Sequence, residues 1–230
     1  MMTFPSTIRT ILFDLDGTLV DSAPDLWRAT NHVITLRGRS ELPLELVRDY
    51  VGNGARYLLA RGLWGLGATP PEDDPDFEAT VTAFLDYYRQ HLTDHSFPYP
   101  GVVETLETLK RLNCPMAVVT NKPEFLTHLM LDDLDLTRFF PVVVGGDTLA
   151  ERKPHPLPLH HAISRLQGTA ATTVMVGDSE TDALAAKNAG CKLILVSHGY
   201  NRGEPLEDLH PDGIIHHFNQ LIELLGYPQD

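Results

Sequence analysis

Six short runs of mostly apolar residues recur along this chain: Thr10–Phe13, Met116–Thr120, Val142–Val144, Thr173–Val176, Leu193–Val196 and Gly213–Ile215. Runs this continuous predict strands covered on both faces. From Tyr99 onward, helical patterns separate them: Val102, Leu106 and Leu109; Pro123 to Leu134; Leu157 to Leu166; Thr181 to Ala189; and Phe218 to Leu225. Strands alternating with helices restrict the fold to α/β, a doubly wound parallel sheet with a Rossmann-like core. The interval between the first and second runs breaks the alternation. Residues 21–94 contain no strand pattern, only apolar stripes at helical spacing, such as Leu26, Ala29, Val33 and Leu36, then Val81, Phe84, Leu85 and Tyr88. This predicts a catalytic core of residues 1–20 and 95–230 and an inserted helical cap of residues 21–94.

In an open parallel sheet, ligands bind beyond the carboxyl ends of the strands. The polar residues of interest fall at such ends. Asp14, Asp16, Gly17 and Thr18 follow the first run, Thr120, Asn121 and Lys122 the second, and Asp178 and Ser179 the fourth, with Asp182 one helical turn on. Lys153 stands in a Pro-rich loop before a helix. Asp and Gly alone would make an ordinary turn, but convergence on one sheet edge is poorly explained by turn chemistry. Asp14 and Asp16 lie on the same side of an extended chain, where burial would make them repel unless a cation or shared proton intervenes. Asp14, Asp16 and Asp178 suit a hard divalent cation that keeps some of its water, as magnesium does. Thr120, Asn121 and Lys153 offer donors that match phosphate oxygens. An aspartate is also a competent nucleophile, and a neighbouring acid can protonate a leaving oxygen.

The formal net charge of −13 argues against a nucleic-acid partner and requires any anionic substrate to meet local cations or metal. Two cysteines, Cys114 and Cys191, are too few for a disulfide framework. No basic segment followed by an apolar run marks a signal peptide, and no stretch reaches membrane-spanning length, so a cytoplasmic protein is expected. Adjacent histidine pairs at His160–His161 and His216–His217 face different ways and do not have zinc spacing.

The segments Asp14-Leu-Asp-Gly-Thr18, Thr120-Asn121, Lys153-Pro154 and Gly177-Asp-Ser-Glu-Thr-Asp182 resemble, in order, the four motifs of the haloacid dehalogenase-like phosphatases. The resemblance spans the chain and includes the cap inserted after the first motif. It implies that Asp14 is the nucleophile and Asp16 the acid/base. It also implies magnesium held by the Asp14 carboxylate, the Asp16 backbone carbonyl and Asp178. Thr120, Asn121 and Lys153 would bind the phosphoryl group, and Asp182 would support the metal shell or Lys153. Asp16 distinguishes the chain from the family's dehalogenases, and a cap without lysine distinguishes it from the phosphonate hydrolase.

Within the family, the chain is most similar to members that hydrolyse 2-phosphoglycolate, through residues 14–25, Val51-Gly-Asn-Gly-Ala55, Val118–Pro123, Val144-Gly-Gly-Asp147 and Gly199-Tyr-Asn201. A substrate with a carboxylate beyond its phosphate needs a second anion site. Asn53 and Gly54 at a helix start and the guanidinium of Arg56 are the cap residues expected to supply it. The alternatives are another small phosphate ester, such as a sugar phosphate or mononucleotide, and, from a different class, a phospho-aspartate receiver-like signalling domain without turnover. The expected partner is a small phosphorylated metabolite, and the chain is expected to act as a monomer or homodimer.

Overall fold

A computed structural model of the chain describes residues 8–201 and 203–227. The architecture is α/β. The main sheet has six parallel strands in the order β5-β4-β1-β6-β7-β8: β1 Thr10–Phe13, β4 Met116–Val119, β5 Val142–Val144, β6 Thr173–Gly177, β7 Lys192–Val196 and β8 Gly213–Ile215. Each predicted run forms one of these strands. β1 and β4 are buried throughout, as their mostly apolar character predicts. Side chains alternate between two cores. Ile11, Phe13, Met116, Val118, Val174 and Val176 face one, and Leu12, Ala117, Val119 and Met175 face the other.

Four helices follow β1: α1 Ala23–Leu36, α2 Leu44–Tyr50, α3 Ala55–Trp64 and α4 Pro75–Gln90. They pack on one another, and their buried residues Leu26, Leu58, Phe77, Phe84 and Tyr88 are continuous with the first core. The start of α4 is set locally, because Asp74 accepts from the backbone N–H groups of Asp76 and Phe77 at 2.9 and 3.1 Å and Pro75 opens the helix. Leu36 was expected on the buried stripe of α1, but the last turn of the helix leaves it exposed. A two-residue antiparallel ribbon was not expected from sequence. β2 Val20–Asp21 pairs with β3 Phe97–Pro98, so the chain leaves and re-enters the sheet layer at one place. Such short strands carry too few residues to show a period.

Five helices complete the layers: α5 Val102–Arg111, α6 Glu124–Asp133, α7 Leu157–Arg165, α8 Glu180–Ala189 and α9 Gln220–Leu224. Among the described residues, no helix is long and apolar enough to cross a membrane. β1 lies between β4 and β6, and connections run outward in both directions from this centre. The carboxyl ends of these three neighbours therefore share one edge, at the position where such sheets bind ligands.

Candidate active site

The turn after β1 carries Asp14 and Asp16 in different directions. Asp14 is 7% exposed, and its Oδ1 lies 3.0 Å from Lys153 Nζ. Apart from that ion-pair contact, this buried oxygen has no hydrogen-bond donor among the described residues. Asp178, from the end of β6, is held through both oxygens. Thr18 Oγ1 donates to Oδ1 at 3.0 Å, and the Tyr200 backbone N–H donates to Oδ2 at 2.6 Å. Two glycines make this approach feasible. A Cβ at Gly17 (φ +84°) would fall 2.4 Å from Asp178 Oδ2, and one at Gly199 would fall 2.1 Å from the Asp178 Cβ.

Asp182 closes the group from the first turn of α8. Its Oδ2 accepts from Ser179 Oγ at 2.7 Å and from the Ser179 and Asp178 backbone N–H groups at 3.2 and 3.3 Å, and the Ser179–Asp182 pair forms a capping box. Its Oδ1 accepts from Lys153 Nζ at 2.6 Å. Asp182 thus fixes both the α8 turn and the lysine.

Carboxylate oxygens of Asp14, Asp178 and Asp182 lie within 4.8 Å of one another. Burial, followed by the neighbouring charges, pushes the Asp14 carboxyl up to about 6, against the pull of Lys153. Burial, then Asp182 and Asp14, raises Asp178 well above the usual carboxylate range. Burial works against the Lys153 ammonium, but Asp14 and Asp182 outweigh it and raise its pKa. One lysine does not neutralise three buried carboxylates. The donor set and its excess negative charge fit a magnesium ion.

Asp16 faces the helices instead. Its Oδ1 accepts from Ser22 Oγ at 2.6 Å and from Lys122 Nζ at 3.1 Å. Lys122 also donates to Tyr88 Oη of α4 at 2.7 Å and sits 4.5 Å above that ring. Burial outweighs Asp16 and lowers the Lys122 pKa. The Asp16 carboxylate therefore stands apart from the acidic cluster.

A pocket opens between these groups and the helices. Asp14, Asp16, Thr120 and Lys122 line its floor, and Leu26, Gly54, Leu58, Phe84 and Tyr88 line its opposite wall. The Thr120 oxygen accepts from the Lys122 backbone N–H at 3.2 Å, which leaves its hydroxyl proton to donate. Gly54 lies in this wall with φ +87°, close to the Asn121 carbonyl.

Three expectations are corrected. Asn121 does not offer its amide to a phosphate. Both Nδ2 protons are used, one on the Gly52 carbonyl at 3.0 Å and one on the Lys153 carbonyl at 2.9 Å, so Asn121 ties the loop before α3 to the core. Asn53 does not line the pocket. Its Nδ2 donates to Thr181 Oγ1 at 3.3 Å, and its Oδ1 accepts from Arg61 at 2.7 Å. Arg56 is outside the pocket as well, because Glu78 at 2.6 Å and the Pro71 carbonyl at 3.2 Å hold it and it lies over the Phe77 ring. An acidic neighbour one helix away competes for a guanidinium, and single-helix spacing does not show that neighbour.

Sequence reasoning placed Lys122 at the sheet edge but gave it no role, and it missed Ser22, Tyr88 and Tyr200 as parts of the site. Lys122 carried the clearest signal, since a lysine directly after a buried strand end has to find a partner. Tyr88 read as one more member of an apolar stripe, and nothing local showed where its hydroxyl would go.

A family model described as haloacid dehalogenase-like hydrolase matches residues 11–196. A phosphoglycolate phosphatase of Colwellia psychrerythraea is 40% identical over 213 residues, covering 92% of this chain and 94% of the relative. One from Caulobacter vibrioides is 44% identical over 209 residues, covering 91% and 87%. The crystal structure of a predicted phosphoglycolate phosphatase from Haemophilus somnus superposes with a TM-score of 0.88 at 34% identity, covering 95% of this chain and 98% of that one.

Proposed function

The chain belongs to the haloacid dehalogenase-like hydrolases and is a phosphoric monoester hydrolase, and from this premise we propose that it hydrolyses 2-phosphoglycolate to glycolate and phosphate through an aspartyl-phosphate on Asp14. The observation that carries the chemistry is the buried group of Asp14, Asp178, Asp182 and Lys153, beside an Asp16 that is held separately. The substrate assignment rests on the similarity to relatives named phosphoglycolate phosphatase.

In this reading the phosphoryl group sits against Thr120 Oγ1 and Lys153 Nζ, which neutralise its oxygens. An Asp14 carboxylate oxygen attacks phosphorus, and the bond to the glycolate oxygen breaks. Asp16 gives its proton to that oxygen, and glycolate leaves as a neutral alcohol at this end. Asp16, now ionised, takes a proton from water, and the water oxygen attacks the phosphorus of the acyl phosphate. Phosphate departs, and Asp14 is regenerated. Ser22 and Lys122 orient Asp16 for both transfers. Magnesium would be held by the Asp14 and Asp178 carboxylates and the Asp16 backbone carbonyl, and when bound it supplies positive charge to the phosphoryl oxygens. Asp182 serves by holding Lys153 in place.

We assign residues 1–20 and 95–230 to the catalytic core and residues 21–94 to a cap that selects the substrate. The test is phosphate release across a panel of phosphate esters with magnesium, including sugar phosphates and mononucleotides. The expected result is the highest kcat/KM on 2-phosphoglycolate. A clear preference for another ester would overturn the substrate while leaving the reaction class intact.

A further inference from the structure

Lys122 is the one cation among the described residues that line the pocket. The cap arginines near the pocket are engaged elsewhere: Arg48 with Asp21 at 3.1 Å, Arg56 with Glu78, and Arg61 with the Tyr50 carbonyl at 2.8 Å and Asn53. The wall facing Lys122 is otherwise apolar, formed by Leu26, Leu58 and Phe84 around Tyr88. A second anionic group on a substrate would enter this space, and burial against apolar surface is costly for an anion without a counter-charge.

Connectivity makes the placement specific. Lys122 Nζ is 3.1 Å from Oδ1 of Asp16, the carboxyl assigned to protonate the leaving group. In 2-phosphoglycolate the carboxylate carbon is two bonds from the leaving oxygen. A cation paired to the acid that meets this oxygen is therefore within reach of the carboxylate. Its acceptors are Asp16, through Oδ1 at 3.1 Å and the more distant Oδ2 at 3.4 Å, and Tyr88 Oη at 2.7 Å; a substrate carboxylate would take the proton that the longer contact to Oδ2 shares.

We propose that Lys122 is the specificity-determining residue of the pocket and binds the substrate carboxylate, so that the second anion site comes from the core and not from the cap. The proposal rests on the 2-phosphoglycolate reading above. Tyr88 braces the ammonium from the cap side and keeps it at the junction of the two layers.

The experiment compares kcat/KM on 2-phosphoglycolate with kcat/KM on 2-hydroxyethyl phosphate, a near-isostere with a neutral end, for the wild-type chain and K122M. The wild-type chain should prefer the carboxylate. K122M should reduce that preference about ten- to hundredfold, as loss of a charge-assisted hydrogen bond does, and K122R should keep most of it. Equal loss on both substrates would overturn the proposal and leave Lys122 only as a support for Asp16. A wild-type chain without preference would overturn the substrate reading itself, which is a different outcome. If the circular dichroism melt shows K122M unfolded, the side-chain ammonium signal of Lys122 in the 15N-labelled wild-type chain decides. It should move with glycolate in the presence of inorganic phosphate and stay fixed with ethylene glycol; no response to glycolate would overturn the assignment.

Discussion

Replacing Asp182 by Asn tests whether the acidic cluster is held by charge or by shape. Asp182 is fully buried, and its two oxygens accept from Lys153, Ser179 and the Asp178 backbone. Asn keeps the outline but places an NH2 on one side. Turned one way, that group meets the Lys153 ammonium; turned the other, it meets three donors at the start of α8. Both orientations set donors against donors. Neutralising one partner of a buried ion pair costs about 3–5 kcal/mol. Part of this is returned, because the Asp182 charge also raises the Asp14 and Asp178 carboxyls and its loss relieves that repulsion. We therefore expect a net loss of about 3 kcal/mol, or about 6–12 °C in Tm for a chain of this size. Urea unfolding at pH 7 without metal, with a thermal scan, measures it. Activity should fall mainly in kcat, since Lys153 is then no longer aimed. A stability loss below about 1 kcal/mol would refute the reasoning and mean that Asp14 alone holds the lysine.

Two further perturbations bear on Asp14 and Arg56. The native Asp14 carboxyl is raised from 3.8 to about 6, so between those values the folded chain binds more protons than the unfolded one. Stability of the metal-free protein should then fall as pH rises from about 4 through about 6, with Asp178 acting in the same direction. D14N should abolish turnover, flatten this part of the profile and raise metal-free stability at pH 7; parallel urea midpoints for the two proteins across pH 4.5–7.5 would count against it. R56A should change kcat/KM on 2-phosphoglycolate less than about twofold and stability by less than about 1 kcal/mol, because its ion pair with Glu78 is partly exposed on both sides. A tenfold loss confined to substrates bearing a carboxylate would put Arg56 back at the substrate.

What the sequence made legible follows from how local the signals were. Strands buried on both faces, such as Thr10–Phe13, announce themselves by composition, and Gly17 and Ser179 announce turns. The placement of Asp14 and Asp178 needed only the rule that polar residues at strand ends share an edge, whereas Lys153, in a loop, entered through the Lys153-Pro154 motif. The cap contacts were less accessible. Whether Arg56 points at a substrate or at Glu78 depends on how α3 packs on α4, and whether the Asn121 amide is free depends on where the Gly52 carbonyl arrives. These are long-range distances that no periodicity encodes. The Lys122–Tyr88 contact is of the same kind, joining residues 34 positions apart across two layers.

These contacts divide the reaction between the two layers. Asp14, Asp178, Asp182, Lys153 and Thr120 are braced by β-strand ends, by α8 and by the Tyr200 backbone, all within the core. None of those braces comes from α1 to α4. Asp16 is held differently, by Ser22 at the entry to α1 and by Lys122, which Tyr88 of α4 in turn supports. The Tyr200 hydroxyl adds a tie to the same entry, accepting from the Ala23 backbone N–H at 2.9 Å and donating to Asp21 at 2.7 Å. On the proposed mechanism, phosphoryl binding and attack therefore depend on the core alone, whereas leaving-group protonation and carboxylate recognition depend on the helices being seated. A phosphate ester that seats the helices poorly is bound at its phosphoryl end but meets an Asp16 that is not aimed. In that mechanism selectivity arises at the step where Asp16 transfers its proton, so the residue that links the two layers, Lys122, is also placed to read the substrate.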